Sequence, residues 1–130
     1  MNNRIVDNTD VQNKTKDIVI HHMDSFYDND IDALMSDYTE ESIIMTLEQT
    51  FKGLKEIRLF ITEFITYFPK GKTILVLDKL SVENDLGYVV WHAHTPNIKI
   101  SLGSGTFILK NGKILKQTFV GQLDKKALIT

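Results

Sequence analysis

The 130-residue chain contains no cysteine. Disulfides, cysteine-ligated zinc and a thiol nucleophile are therefore excluded, and the chain is compatible with a reducing compartment. Proline is scarce, with only Pro69 and Pro96. No stretch is long and apolar enough to cross a bilayer, so no membrane association is expected. The amino terminus, MNNRIVDNTDVQNK, lacks the apolar centre of a secretion signal, and a cytoplasmic location is expected. Asn13-Lys14-Thr15 fits a glycosylation sequon, which has meaning only on a secreted chain. Charge of one sign is also missing. The 15 basic and 17 acidic side chains nearly cancel, and no basic block exists to neutralise phosphates. Nucleic acid is not an expected partner.

The rest is an ordinary globular balance, 42% apolar and 25% charged, at a length that fits one domain. Such a domain buries roughly two-thirds of its unfolded surface and needs no covalent staple. Residues 1–8 read as a flexible tail and 9–130 as a single domain.

Ile18, Val19, His22, Met23 and Phe26 recur at spacings of three and four, predicting a first helix started by Asp10 or Thr15. Asp28-Asn29-Asp30 interrupts it. Asp30 is placed to cap a short second helix carrying Ile31, Leu34, Met35 and Tyr38. Ser42 to Leu47 is a β-rich run, and Gln49 to Gly53 a turn and return strand. Leu54 to about Phe68 predicts a third helix with a wide apolar stripe, ended by Pro69 and Gly71. Beyond Lys72 the period changes to two. Strands are predicted over 73–82, 87–95, 99–109 and 113–121, with Asn111-Gly112 a strong hairpin signal. Helices followed by a strand meander imply an α+β fold with helices on one face of a mainly antiparallel sheet.

Four local phrases resemble one known superfamily. Phe26-Tyr27-Asp28-Asn29-Asp30-Ile31-Asp32-Ala33-Leu34 resembles its aromatic followed by a "GD-(L/I)-D-A-L" turn. Asp37-Tyr38-Thr39-Glu40-Glu41-Ser42-Ile43 resembles its "-YAEDAV-" entry into the first strand. Phe51-Lys52-Gly53-Leu54-Lys55-Glu56-Ile57 resembles its entry into the third helix. The run from Gly105 to Phe119 resembles the "D-T-F-x-x-x-D-G-K-I-x-x-Q-T" phrase of the SnoaL-like subgroup. The order and content, from about residue 14 to about 123, resemble the nuclear-transport-factor-2-like superfamily, SnoaL-like (ketosteroid isomerase-like) subgroup. The resemblance implies a cone: three helices closing a strongly curved sheet around a pocket. It does not imply one function, because steroid isomerases, polyketide cyclases, dehydratases, epoxide hydrolases and transport factors share the fold.

Ketosteroid isomerase uses an Asp base, a Tyr hydroxyl and a protonated Asp. Aligned on Asp30 and on Thr106-Phe107, those positions fall on Thr46, His22 and Gly105. None of the three identities is retained, so isomerase chemistry of that kind is not expected. The missing acid at Gly105 also departs from the SnoaL-like phrase and weighs against cyclase chemistry.

His22, on the apolar face of the first helix, is the candidate acid–base group. The alternative is a core histidine bonded to a backbone carbonyl or to Gln117. Thr46, Phe64, Trp91, His92, Phe107, Gln117 and Phe119 are the candidate ligand-binding residues. Either Trp91 or His92 faces the pocket. Strand alternation puts Trp91 inward, whereas the ungapped alignment puts His92 inward. His92 and His94 share a strand face and could join His22 in a three-histidine metal site, but the spacing alone is a weak signal; no metal or cofactor is expected. Gly71-Lys72-Thr73 lacks the glycine at position 66 and the following helix that a phosphate-binding loop needs. Asp28, Asp30 and Asp32 lack the Gly and Glu that complete a calcium loop, where the chain has Ala33 and Thr39.

Two functions are carried forward. One is a pocket for a small apolar or aromatic molecule, with isomerase- or lyase-type chemistry through His22. The other is a non-catalytic module that pairs as a homodimer through the sheet, where Thr73 to Asp78 leave apolar groups on both faces.

Overall fold

In the computed structural model, residues 8–125 are described. The elements run α1 (Asn8–Tyr27), α2 (Ile31–Met35), β1 (Tyr38–Met45), β2 (Thr50–Lys52), α3 (Gly53–Phe64), a 3₁₀ turn (Ile65–Tyr67), β3 (Ile74–Glu83), β4 (Leu86–His94), β5 (Ile98–Lys110) and β6 (Lys113–Lys125). Asn8 thus belongs to α1 rather than to a tail, and the rest of the expected tail, 1–7, lies outside the described residues.

The six strands form one sheet in the order β2-β1-β6-β5-β4-β3. Every neighbouring pair is antiparallel except β1 and β6, which run parallel. The sheet is curled but open, with β2 and β3 at its edges. Irregularities in register accompany the curl, at Leu77/Lys79 in β3, Trp91/Ala93 in β4, and Ile100/Leu102 and Ile108/Leu109 in β5. An extra residue on one strand of a pair bends it and increases its twist.

The helices form where the apolar spacing predicts. α1 buries Thr15, Val19, His22 and Ser25, three and four residues apart. α3 buries Ile57 and Ile61, with the 3₁₀ turn adding Ile65. Asp30 caps α2, its carboxylate accepting from the Ala33 N–H at 3.0 Å. Asn111 and Gly112 both take positive φ, +52° and +77°, in the tight β5–β6 turn.

Three expectations need correction. Neither Asp10 nor Thr15 starts α1: the helix begins at Asn8, Asp10 lies in its first turn, and Thr15 sits about two turns inside, where its hydroxyl donates to the Asn84 carbonyl at 2.7 Å, tying α1 to the β3–β4 turn. Tyr38 is not on α2. That helix ends at Met35, the Ser36 N–H bonds Asp32 O and the Asp37 N–H bonds Leu34 O, and the chain turns into β1 at Tyr38. α3 is shorter than expected, since its last turn tightens to 3₁₀ before Pro69.

The core lies between the helices and the inward face of the sheet, centred on Val19, Leu34, Ile44, Ile57, Phe68 and Ile114. Asn29 closes one end of it. Its amide donates to Phe68 O at 2.9 Å and its carbonyl accepts from the Lys70 N–H at 3.0 Å, joining the end of α1 to the segment after α3. The core does not fill the space completely, and the gap is the candidate site.

Candidate functional site

An internal cavity of about 70 Å³ opens between α1, α3 and the inward sheet face. Most of its wall is apolar: Phe60 and Phe64 from α3, Trp91 from β4, Phe107 from β5 and Phe119 from β6. Phe64 meets Phe119 edge to face at 5.0 Å, and Trp91 stacks on Phe119 at 5.9 Å. Besides Thr118, the polar side chains of the wall are His22, Tyr38 and Gln117, which converge at one place.

Backbone pairing brings these three together. α1 presents His22 with its side chain only 8% exposed. The parallel pairing of β1 with β6 sets Tyr38 opposite Ile114 and Ile44 opposite Gln117. The Tyr38 hydroxyl then donates to Gln117 Oε1 at 2.5 Å and lies 3.1 Å from His22 Nε2. On its other side, His22 Nδ1 is 3.1 Å from Asp37 Oδ2. Asp37 is itself buried and fixed through its backbone, its carbonyl accepting from the Ile114 N–H at 2.7 Å. The carboxylate accepts a second histidine, His21, whose Nδ1 is 3.0 Å from Oδ1.

The carboxylate decides the tautomer of His22: Nδ1 carries a proton and donates it to Asp37. Nε2 then has two possible states. With the phenol donating to Gln117, Nε2–H donates to the phenol oxygen and the ring is an imidazolium. With the phenol turned toward a bare Nε2, the Gln117 amide rotates to donate its NH₂ to that oxygen, and the ring is neutral. The two arrangements differ by one proton, so the cluster can take up or release a proton by rotating one hydroxyl and one amide. Tyr38 itself is held in its neutral form. Burial pushes the phenol well above its usual value, the nearby Asp37 carboxylate pushes it further, and the bond to Gln117 opposes them. A phenol in that state is a hydrogen-bond donor rather than a base or a nucleophile.

Of the residues expected from sequence, His22, Phe64, Trp91, Phe107, Gln117 and Phe119 all line the cavity. Thr46 does not. It sits in the β1–β2 turn, where its hydroxyl donates to Gln49 O at 3.1 Å and its backbone N–H bonds the same oxygen. It lines a separate surface groove of about 430 Å³. His92 does not line the cavity either. Strand alternation holds, Trp91 turns inward and His92 turns outward, with Nδ1 2.7 Å from Asp78 Oδ2. Gly103 is the reason that the inward position is open to an indole: a Cβ there would lie 2.4 Å from the Trp91 ring. Nor does a three-histidine site assemble, since His92 and His22 lie on opposite sides of β4. Among the described residues no group of three or more His, Cys, Asp or Glu is arranged to hold a metal ion.

His22 is bonded neither to a backbone carbonyl nor directly to Gln117, the two partners expected of a core histidine. Its partners are Asp37 and Tyr38, which the sequence reading did not single out as site residues. Gly105, where the isomerase pattern has an acid, contributes bare backbone to the wall. A Cβ there would come within 3.3 Å of Thr118 O and 3.4 Å of Val89 Cγ2.

No family model matches the sequence, and no curated protein matches it. Solved structures do match the fold. A candidate ketosteroid isomerase from Kribbella flavida superposes with a TM-score of 0.73 at 11% identity, covering 92% of this chain and 85% of that one. SalBIII, an epoxide hydrolase/cyclase-like enzyme of pyran ring formation in the polyether salinomycin, superposes with a TM-score of 0.72 at 21% identity, covering 85% and 92%. A de novo designed protein with a curved β-sheet reaches 0.73 at 12% identity, covering 85% and 87%. A designed protein matching as well as natural ones makes plain that the likeness is one of architecture and not of chemistry. The helices closing a curled, open sheet and the four sequence phrases lead to one statement: this chain has the nuclear-transport-factor-2-like fold.

Proposed function

We propose that the cavity is a binding and acid–base site for a small apolar or aromatic molecule bearing an oxygen acceptor, with chemistry of the isomerase or lyase class. The observation that carries this reading is the hydrogen-bonded convergence of His22, Tyr38 and Gln117 in a mostly apolar wall. Apolar enclosures with a few convergent polar groups are the usual form of ligand sites. The structural neighbours described as a candidate ketosteroid isomerase and as an epoxide hydrolase/cyclase-like enzyme support a site of this class.

In this reading the ligand's oxygen replaces Gln117 as acceptor of the Tyr38 proton, and the neutral phenol stabilises negative charge developing there. His22 takes or gives the proton, with Asp37 holding the ring in register. Phe64, Trp91, Phe107 and Phe119 contact the apolar body.

Size sets a condition. The cavity, about 70 Å³, is roughly half of the ~150 Å³ that admits benzene. Phe60 and Phe64 line both the cavity and the 430 Å³ groove. In this reading a ligand enters by rotation of these two rings, which would join the two spaces into a volume of ligand size. The test is a ligand screen by thermal unfolding. A compound that binds only the native state at about 100 Kd adds roughly 2.7 kcal/mol. Loss of that gain in His22→Ala supports the reading, and retention removes His22 from the site.

A second reading rests on a different observation. The outward sheet face exposes Ile74 at 61%, Leu102 at 54% and Val120 at 50%. Such a face suits pairing of two copies as a homodimer, with no catalytic role required. Sedimentation at micromolar concentration tests it; a strict monomer removes it.

A further inference from the structure

We infer that His21 is a proton port, and that His21, Asp37 and His22 form a relay connecting solvent to the interior cavity. The relay begins at the surface. The His21 side chain is 47% exposed, whereas those of Asp37 and His22 are 9% and 8% exposed. A single carboxylate bridges the two rings. His21 Nδ1 lies 3.0 Å and 3.1 Å from its two oxygens, and His22 Nδ1 lies 3.1 Å from Oδ2. His22 Nε2 continues the chain to the Tyr38 hydroxyl at 3.1 Å, inside the cavity. Each step falls within hydrogen-bond reach, so no large movement is needed to pass a proton along it.

Adjacent residues on a helix normally point about 100° apart and share nothing. Here they converge because Asp37, at the entry to β1, lies beside α1 between them. A core histidine needing only a partner would be satisfied by Asp37 alone. The second, half-exposed histidine on the same carboxylate adds little to burial. It gives the buried carboxylate its contact with a group that water reaches. Ser25 Oγ lies 3.5 Å from His21 Nε2. Asp17 and Asp24 stand four residues before and three after His21 on α1, and the Lys113 ammonium donates to the carbonyl of Ser36, next to Asp37, at 2.7 Å.

The transfer balances without any further reactant. A proton arriving from the cavity at His22 Nε2 makes the imidazolium. The Nδ1 proton moves to Asp37 Oδ2, leaving His22 neutral and the carboxyl protonated. At rest His21 also donates its Nδ1 proton to the carboxylate; its half-exposed ring exchanges through water to the tautomer protonated at Nε2, and in that form it takes the carboxyl proton at Nδ1 and releases the Nε2 proton to water. One proton has left the cavity, only N–H and O–H bonds have been made or broken, and the reverse sequence supplies one. The relay would reset the acid–base site proposed above, and its use rests on that reading. Its existence does not, because it is measured without any ligand.

The experiment is solvent exchange of the His22 ring N–H, followed by NMR on protein labelled with ¹⁵N-histidine. His21→Phe is compared with the unaltered chain, and the backbone amides of Val19 and Ile44 report any general loosening. Closing the port is expected to slow ring N–H exchange by about tenfold or more, sharpening or revealing the resonance, while those amides stay unchanged. His21→Asn keeps a donor to Asp37 but cannot pass a proton. It should behave as His21→Phe does; a structural role would instead be rescued by Asn. Equal exchange in all three proteins, including a resonance too broad to detect in all, overturns the relay. So does restoration of fast exchange by Asn.

Discussion

Among the described residues histidine meets aspartate at two places, Asp37 and Asp78, and the two differ in almost everything but composition. His92 and Asp78 meet at 2.7 Å on the outer face of the sheet, with side chains 44% and 43% exposed. His22 and Asp37 meet at 3.1 Å in the interior. The shorter contact is the one surrounded by water, where attraction is screened and such pairs contribute little. The longer one is desolvated, continues to Tyr38 and Gln117, and borders a cavity. Distance alone therefore ranks the two contacts wrongly. What makes the inner one a candidate site is burial and continuity.

The contrast breaks first at the aspartates. Asp37→Ala leaves His22 buried without its partner and removes two histidine contacts at once, so a loss of about 3–5 kcal/mol is expected in chemical denaturation. A loss as small as that at an exposed pair would erase the distinction between the two contacts. Next comes the packing that keeps Trp91 inward and His92 outward. Gly103→Ala drives a methyl into the indole and should lower stability by about 1–3 kcal/mol, with changed tryptophan fluorescence. An unchanged spectrum and midpoint would mean that the inward face has room to spare.

Tyr38→Phe is expected to cost about 1–2 kcal/mol, because it leaves one of His22 and Gln117 without the phenol proton it accepts and the other without the phenol oxygen it donates to. It should also alter the alkaline limb. The folded-state phenol titrates well above its ordinary value, mainly through burial. An acid raised on folding contributes stability that is complete below the unfolded value, near pH 10, and declines as pH rises toward the folded value, because the unfolded state binds fewer protons there. The decline in stability above about pH 10 should therefore be shallower in Tyr38→Phe than in the unaltered chain. An identical slope would contradict the burial of this phenol. The smallest effect belongs to the surface: Asp78→Ala should cost less than about 1 kcal/mol, and 1 M salt should shrink even that.

Most of the fold was legible because its elements carry their own periodicity. The 3.6-residue stripes of α1 and α3, the two-residue alternation after Lys72 and the Asn111-Gly112 turn are local signals, and each appears where the pattern placed it. The inward wall followed from the same signals: the stripe of α3 brings Phe64 to the cavity, and strand alternation brings Phe107, Gln117, Phe119 and, of the two alternatives left open, Trp91.

The polar cluster was legible only at His22 and Gln117. Tyr38 fits the stripe of Ile31, Leu34 and Met35 at helical spacing, and nothing in that spacing reveals that the helix stops at Met35. Asp37 looks like a solvated turn residue. It reaches His21 and His22 only because β1 pairs parallel with β6, a contact spanning the length of the domain. Thr46 failed for the complementary reason. Its position was inferred by alignment alone, and the β1–β2 turn carries it away from the cavity.

The measurement that bears most directly on the inner site is thermal unfolding of the chain and of Tyr38→Phe against small apolar and aromatic compounds, half of them bearing a carbonyl. The account predicts stabilisation by carbonyl compounds over their hydrocarbon counterparts, with that preference lost in Tyr38→Phe, whose own baseline is measured alongside. Stabilisation that ignores the carbonyl, or that survives unchanged without the phenol, would contradict a binding role for the His22–Tyr38–Gln117 cluster.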